Sequence, residues 1–319
     1  MLTDYIDNYL KIYFWKFFSI LTGFLSLLIV IPHLSGNQEI FGIYSICMSF
    51  VVYLSYADIG FLNAGQKFAA EQFSIGNRNE EINIFGFTSA ILILFSLPFS
   101  AGMIYLAYNP ESIINGLTSE SEKIAKSIFL ILGLLFPFQI VLNRIIESIL
   151  AIRIKDYVSK PYDIAFNLLK ILSVFIFFAG EKYMIVEYFL FFVTLNFIKI
   201  FILIKIIKKT EEYEFLRLIK SIKLSNKYYN ITKKLAFSSL FSTIGYFLYF
   251  ELDLIIIGKW FSIRDVSIYA VGYTFLSFIR TLWSAVFSPY AQRFNHLNSD
   301  KSIPELKVLI SNIVEYTMP

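Results

Sequence analysis

Phe17-Phe18-Ser19-Ile20-Leu21-Thr22-Gly23-Phe24-Leu25-Ser26-Leu27-Leu28-Ile29-Val30-Ile31 runs without a charged residue and without alternation of apolar and polar positions. A helix rises about 1.5 Å per residue, so a hydrocarbon layer of ~30 Å takes roughly 20 such residues. A membrane strand would alternate over about 10 positions, and neither this run nor Phe189–Ile198 does so. The backbone must satisfy its own polar groups inside lipid, so helices are the expected solution. The run lacks a small-x-small cleavage site and is therefore expected to stay in the mature chain rather than leave as a signal peptide.

Seven further stretches of this kind follow. The eight expected spans lie at 17–34, 40–64, 84–107, 127–151, 162–179, 183–204, 235–258 and 266–289. Breakers separate them: Ser35-Gly36-Asn37, Gly76-Asn77, Asn109-Pro110 and Gly180-Glu181-Lys182, with Pro161 opening the fifth. Composition agrees, with 57% hydrophobic, 18% aromatic and 16% charged residues, where a soluble domain carries about 25% charged. The expected fold class is an all-α, polytopic membrane protein. The single Cys47 excludes an internal disulfide and a thiolate metal cluster, and is expected to pack inside a helix.

Lys and Arg give the orientation. With the N-terminus in the cytoplasm, 19 of the 28 fall on cytoplasmic pieces and 5 on outer ones (Lys123, Lys126, Lys182, Lys259, Arg264); positive residues stay inside. Nine of the inner charges crowd into 205–234, where Phe215, Leu218, Ile219 and Ile222 recur at helical spacing beside Arg217, Lys220 and Lys223. This reads as an amphipathic helix in the cytoplasmic interface. The organisation expected is a six-helix lobe over 1–207, a cytoplasmic amphipathic linker over 208–234, and the start of a second lobe over 235–319.

Two segments repeat across that linker. Ile31-Pro32-His33-Leu34-Ser35-Gly36-Asn37-Gln38-Glu39-Ile40-Phe41-Gly42-Ile43-Tyr44 and Ile257-Gly258-Lys259-Trp260-Phe261-Ser262-Ile263-Arg264-Asp265-Val266-Ser267-Ile268-Tyr269 each end one span, turn outside and begin the next. The helices that follow close with Gln66-Lys67-Phe68 and Gln292-Arg293-Phe294. Related lobes leave such traces.

On these segments, with Asp58-Ile59-Gly60-Phe61, Ala69-Ala70-Glu71 and Asp253-Leu254-Ile255-Ile256-Ile257-Gly258, the chain resembles the polysaccharide biosynthesis family of lipid-linked oligosaccharide flippases, the O-antigen type. That family belongs to the superfamily of the multidrug and toxin extrusion (MATE) transporters. The resemblance implies a MATE-like bilobed helical transporter. Its members usually have several more spans, so the chain reads as truncated after about eight. It also implies a flippase, not an enzyme, that moves a polyprenyl-pyrophosphate oligosaccharide across the cell inner (cytoplasmic) membrane by alternating access. Its partners would be the lipid-linked oligosaccharide, membrane lipids and a polysaccharide polymerase. No cofactor and no nucleic acid is expected.

Charges within spans cost about 2.5–3.5 kcal/mol on insertion scales and tend to face a cavity or a partner. Lys170, Arg144 and Arg280 lie well inside spans five, four and eight, and are the candidate ligands of an anionic headgroup. Arg144 has an alternative in Glu147, three residues on. Asp58, Glu251 and Asp253 are the candidates for coupling to a cation or proton; Asp58 also suits a helix-end role. Lys199 and Glu187, nearer the ends of span six, are expected to reach the interface. His33 and His296 lie towards opposite faces and share no metal. No nucleophile elbow, Gly-rich phosphate loop or paired Cys motif occurs. The rivals are a cation-coupled drug exporter of the same superfamily and a membrane glycosyltransferase or polymerase. The longest outer loop, about 108–126, offers the latter only Glu111, Glu120 and Glu122.

Overall fold

The computed structural model describes residues 2–56, 60–179, 183–250 and 252–299, with positions 304, 307, 310 and 311. Contacts divide the chain into two units, Met1–Gly272 and Tyr273–Pro319. Among the described residues there is helix and no strand. In chain order the helices are α1 (Leu2–Ser35), α2 (Gln38–Tyr56), α3 (Phe61–Ser74), α4 (Arg78–Tyr108), α5 (Ser119–Leu134), α6 (Phe136–Ala151), α7 (Lys160–Phe177), α8 (Ile185–Thr210), α9 (Phe215–Lys220), α10 (Asn226–Phe250), α11 (Asp253–Trp260) and α12 (Ile263–Ser299).

Each of the eight expected spans falls on helix, but fewer helices are long and apolar enough to cross a bilayer unaided. Three qualify among the described residues: Phe14–Ser35 in α1, α4 and α8. The pair α5 and α6 makes a fourth if taken as one span bent by 42°. Pro137 stands one residue into α6, and its missing N–H leaves Gly133 without the usual helical donor, which places the bend. Expected spans two and seven are each two helices: α2 ends at Tyr56 and α3 begins at Phe61, while α10 ends at Phe250 and α11 begins at Asp253. Helix α7 carries Lys160, Asp163 and Lys170 within 18 residues. The protein is thus an α-helical membrane protein with three to four candidate spans. Its large apolar side chains turned outward, among them Phe17, Phe24, Leu28, Leu97, Leu172, Ile176 and Phe201, call for a non-aqueous surround.

The connections sort into two groups, one at each end of the helices. At one end the α3–α4, α6–α7 and α8–α10 connections meet: Arg153 Nη2 lies 2.7 Å from Glu81 Oε1, Arg78 Nη2 donates to the Glu211 carbonyl at 2.9 Å, and Lys227 Nζ lies 2.8 Å from Glu80. At the other end the α1–α2, α4–α5, α7–α8 and α11–α12 connections meet. There Thr118 N–H donates to Glu39 at 3.2 Å, Lys259 Nζ donates to the Ser112 carbonyl at 2.8 Å, and Gly36 sits against the Tyr183 hydroxyl. The two repeated turns are pressed together here: a Cβ on Gly42 would strike Ile263, and one on Gly258 would strike Ile46. Both turns are capped from within. Asn37 Oδ1 accepts the Ile40 N–H at 3.1 Å, and Ser262 and Asp265 bond each other's N–H groups at 3.3 and 3.0 Å.

The first end holds a core of Phe61, Ile82, Phe85, Phe87, Ile149, Leu203, Ile207 and Tyr213. Small residues let backbones close up: Gly65 lies against Thr88, and Gly86 against Ser221, whose hydroxyl lies 3.2 Å from the Ile82 carbonyl. Into this core is set a fully buried carboxylate, Glu81, held by Arg153 at 2.7 Å and by Arg78 at 3.0 Å. Glu211 joins Lys155 at 2.6 Å and lies 3.6 Å from Arg153 Nε, too long for a hydrogen bond. The guanidinium of Arg153 also lies over Phe73, 4.6 Å from the ring centroid.

Removing one member of a buried pair strands the other. Glu81→Ala is expected to cost about 3–5 kcal/mol in a detergent-solubilised unfolding measurement. Glu80→Ala, which breaks the solvent-screened pair with Lys227 and the Tyr228 hydroxyl's bond to the same carboxylate, should cost clearly less in the same measurement.

Candidate functional site

Buried and half-buried polar residues of α6, α7 and α8 form a seam. Helical spacing puts Asp163, Asn167 and Lys170 on one face of α7, and Phe192, Asn196 and Lys199 on one face of α8. The helices run antiparallel, so these faces meet in reverse order. Near one end Lys199 Nζ lies 2.9 Å from Asp163 Oδ1, and Lys160 Nζ lies 3.2 Å from Oδ2. Further along, Lys170 Nζ stands 4.2 Å from the centroid of the Phe192 ring. Among the described residues that ring is the ammonium's sole partner. Phe192 is in turn packed on Phe136 of α6, with centroids 6.5 Å apart.

Helix α6 supplies the third side. Gln139, Asn143 and Glu147 recur every four residues on the face that begins with Phe136. Asn143 Nδ2 donates to Glu147 at 2.8 Å. The Gln139 and Asn143 side-chain oxygens are buried with no hydrogen-bond partner among the described residues. Buried amide oxygens without a partner are uncommon and costly, which marks this stretch as more than packing. At the foot of the seam, outside the spanning part, Asp156 has its carboxyl raised above the ordinary range by burial, with Lys160 opposing. Close by in the first-end core, burial likewise pushes the Tyr213 hydroxyl up; it too lacks a hydrogen-bond partner among the described residues.

The residues singled out from the sequence are placed as follows. Lys170 is half-buried in the seam. Arg144 is half-buried on α6, next to Asn143; the acid expected to hold it, Glu147, accepts from Asn143. Arg280 belongs to the second unit, where its Nη2 donates to Ser277 at 2.7 Å and its guanidinium lies 5.2 Å from the Tyr273 ring centroid. Asp58 and Glu251 lie outside the described residues. Asp253 is exposed at the start of α11 and accepts from the Tyr269 hydroxyl at 2.5 Å. His33 binds the Ile29 carbonyl through Nδ1 at 2.7 Å and meets Phe175 edge-on. No cluster of His, Cys, Asp or Glu placed to hold a metal occurs among the described residues.

Lys199 does not reach for an interface. It is buried on Asp163, because the partner one helix away lies closer than water. Asp163, Gln139 and Asn143 were not singled out from the sequence. The signal was present in the four-residue spacing of Gln139, Asn143 and Glu147, and in Asp163 standing two turns before Lys170.

The chain was compared with protein-family models, curated proteins and solved structures, and it matches none of them. The chemistry of the site therefore rests on its own residues.

Asp163→Asn should destabilise the protein by about 3 kcal/mol, since it leaves Lys199 buried beside a neutral group. Adding Lys199→Met should restore more than half of that loss. A double-mutant cycle of unfolding midpoints in detergent measures both.

Proposed function

We propose that the protein is a flippase that moves a polyprenyl-pyrophosphate oligosaccharide across the cytoplasmic membrane for surface polysaccharide synthesis. The carrying observation is Lys170, a cation on α7, the helix of the run expected to span over 162–179, with an aromatic ring of the candidate span α8 as its partner. A cation–π contact is worth about 0.5–2 kcal/mol, while a charge within the bilayer costs about 2.5–3.5 kcal/mol. The ring thus leaves part of the cost uncompensated, and a phosphate brought beside the ammonium would be attracted there. The unpaired oxygens of Gln139 and Asn143 suit hydroxyl donors such as those of a sugar.

Two further features support the reading. The repeated turns are packed against each other, Gly42 on Ile263 and Gly258 on Ile46, as expected where related lobes meet. The connections rich in Lys and Arg gather at one end of the helices, consistent with a cytoplasmic N-terminus. In this reading Arg144 adds positive charge to the passage, and Asp58, Glu251 and Asp253 are the candidates for coupling. A polysaccharide polymerase is the expected receiver of the cargo. The same uncompensated cation disfavours a passage for cationic drugs.

The full-length protein reconstituted in vesicles should speed the crossing of a fluorescent polyprenyl-pyrophosphate sugar. A hydrogen bond to a charged group contributes about 1.5–3 kcal/mol, so Lys170→Gln should slow crossing by about tenfold or more without loss of folded protein. Crossing that is independent of the protein, or indifferent to Lys170→Gln, would count against the reading.

A further inference from the structure

We infer that the segment from α8 to α10 is a docking surface for anionic phospholipid headgroups, with α9 as its wedge. The observation is how α9 is seated. One side is fastened to the helices: Leu218 is only 6% exposed, Ser221 Oγ lies 3.2 Å from the Ile82 carbonyl, and Gly86 leaves room for Ser221. The other side is bare. Leu216 is 77% exposed, Ile219 63% and Leu224 62%, with Ile222 also exposed. The amphipathic stripe read from spacing was Phe215, Leu218, Ile219 and Ile222. In the fold Leu218 is spent on anchoring, and Leu216 and Leu224 take its place outward.

The charges around this apolar set are equally one-sided. Lys205, Lys208, Lys209, Lys220, Lys223 and Lys234 are all exposed, and among the described residues no carboxylate pairs with any of them. The other three cations of the segment have neighbours within the fold: Arg217 faces Glu214 at 3.9 Å, Lys227 faces Glu80 at 2.8 Å, and Lys233 donates to Asn230 at 2.7 Å. Glu211 is turned inward to Lys155 at 2.6 Å, which removes one acid from the outer face. A fixed platform results, with leucine and isoleucine beside unneutralised lysines. It is joined directly to α8, a helix long and apolar enough to cross a membrane. That position holds it at the lipid boundary, where basic residues attract anionic headgroups and apolar side chains enter the acyl edge. A soluble protein partner would not need the platform to stand at that depth; charge complementarity and location both select lipid.

The test uses the full chain carrying Ile219→Cys, labelled with an environment-sensitive fluorophore. Cys47 is fully buried and gives the background in the unsubstituted protein. The labelled protein is reconstituted in vesicles of phosphatidylcholine alone or with phosphatidylglycerol. The expected result is a blue shift and quenching by brominated lipid only in the anionic vesicles. Both should be reversed when salt is raised from 0.1 M to 1 M, which shortens screening from about 10 Å to about 3 Å. Lys220→Gln with Lys223→Gln should weaken the shift at least twofold. Both side chains are exposed and without a hydrogen bond or ion pair among the described residues, and the salt series on the unaltered lysines needs no variant. A label that stays in water in both vesicles overturns the inference, as does one equally buried in both. No oligosaccharide enters this experiment, so its failure leaves the transport reading where it was, and failure of lipid crossing leaves this one.

Discussion

A single carboxylate, Glu81, organises one end of the molecule. It is buried in the first turn of α4, where Arg153 reaches it from the end of α6 and Arg78 from its own helix. Arg78 and Arg153 in turn collect Glu211 from the end of α8. Three connections far apart in sequence are thereby gathered at one point. Burying charge is expensive, so the arrangement tolerates little displacement, and directional pairs define register where apolar contact alone would allow sliding. The core around it supplies the rest of the cohesion through close helix approach at Gly65 and Gly86.

The seam of α6, α7 and α8 obeys the same rule with a different outcome. At its foot the charges are matched: Asp163 lies between Lys160 and Lys199. Further along they are not: among the described residues Lys170 meets only an aromatic face, and two amide oxygens go unanswered. A helix bundle that needed only cohesion would have filled these positions with leucine. The gradient from satisfied to unsatisfied polar groups along one seam is what the proposal of a transport site rests on.

Much of the architecture could be read from the residues. Long uncharged runs such as 17–31 announce helices, and Gly36-Asn37, Gly76-Asn77 and Asn109-Pro110 mark turns where the structure has them. Less legible were the breaks. Pro137 bends α5 against α6, and the run expected over 235–258 is interrupted at Leu252. Hydropathy averages over a window and does not register a local interruption. The seam was half visible: Lys170 stood out as a charge in an apolar run, whereas Lys199, near the end of its run, was expected to reach the interface and Asp163 was not singled out.

Composition and periodicity alone determined that this is a helical membrane protein, because a bilayer offers the backbone no other hydrogen-bond partners. They also determined where positive charge accumulates. Which lysines are neutralised, which leucine of α9 anchors and which face outward, and that Glu81 is a buried hub were decided by tertiary structure. The reason is that an ion pair depends on separations of a few ångströms between helices dozens of residues apart, and no local pattern carries that distance.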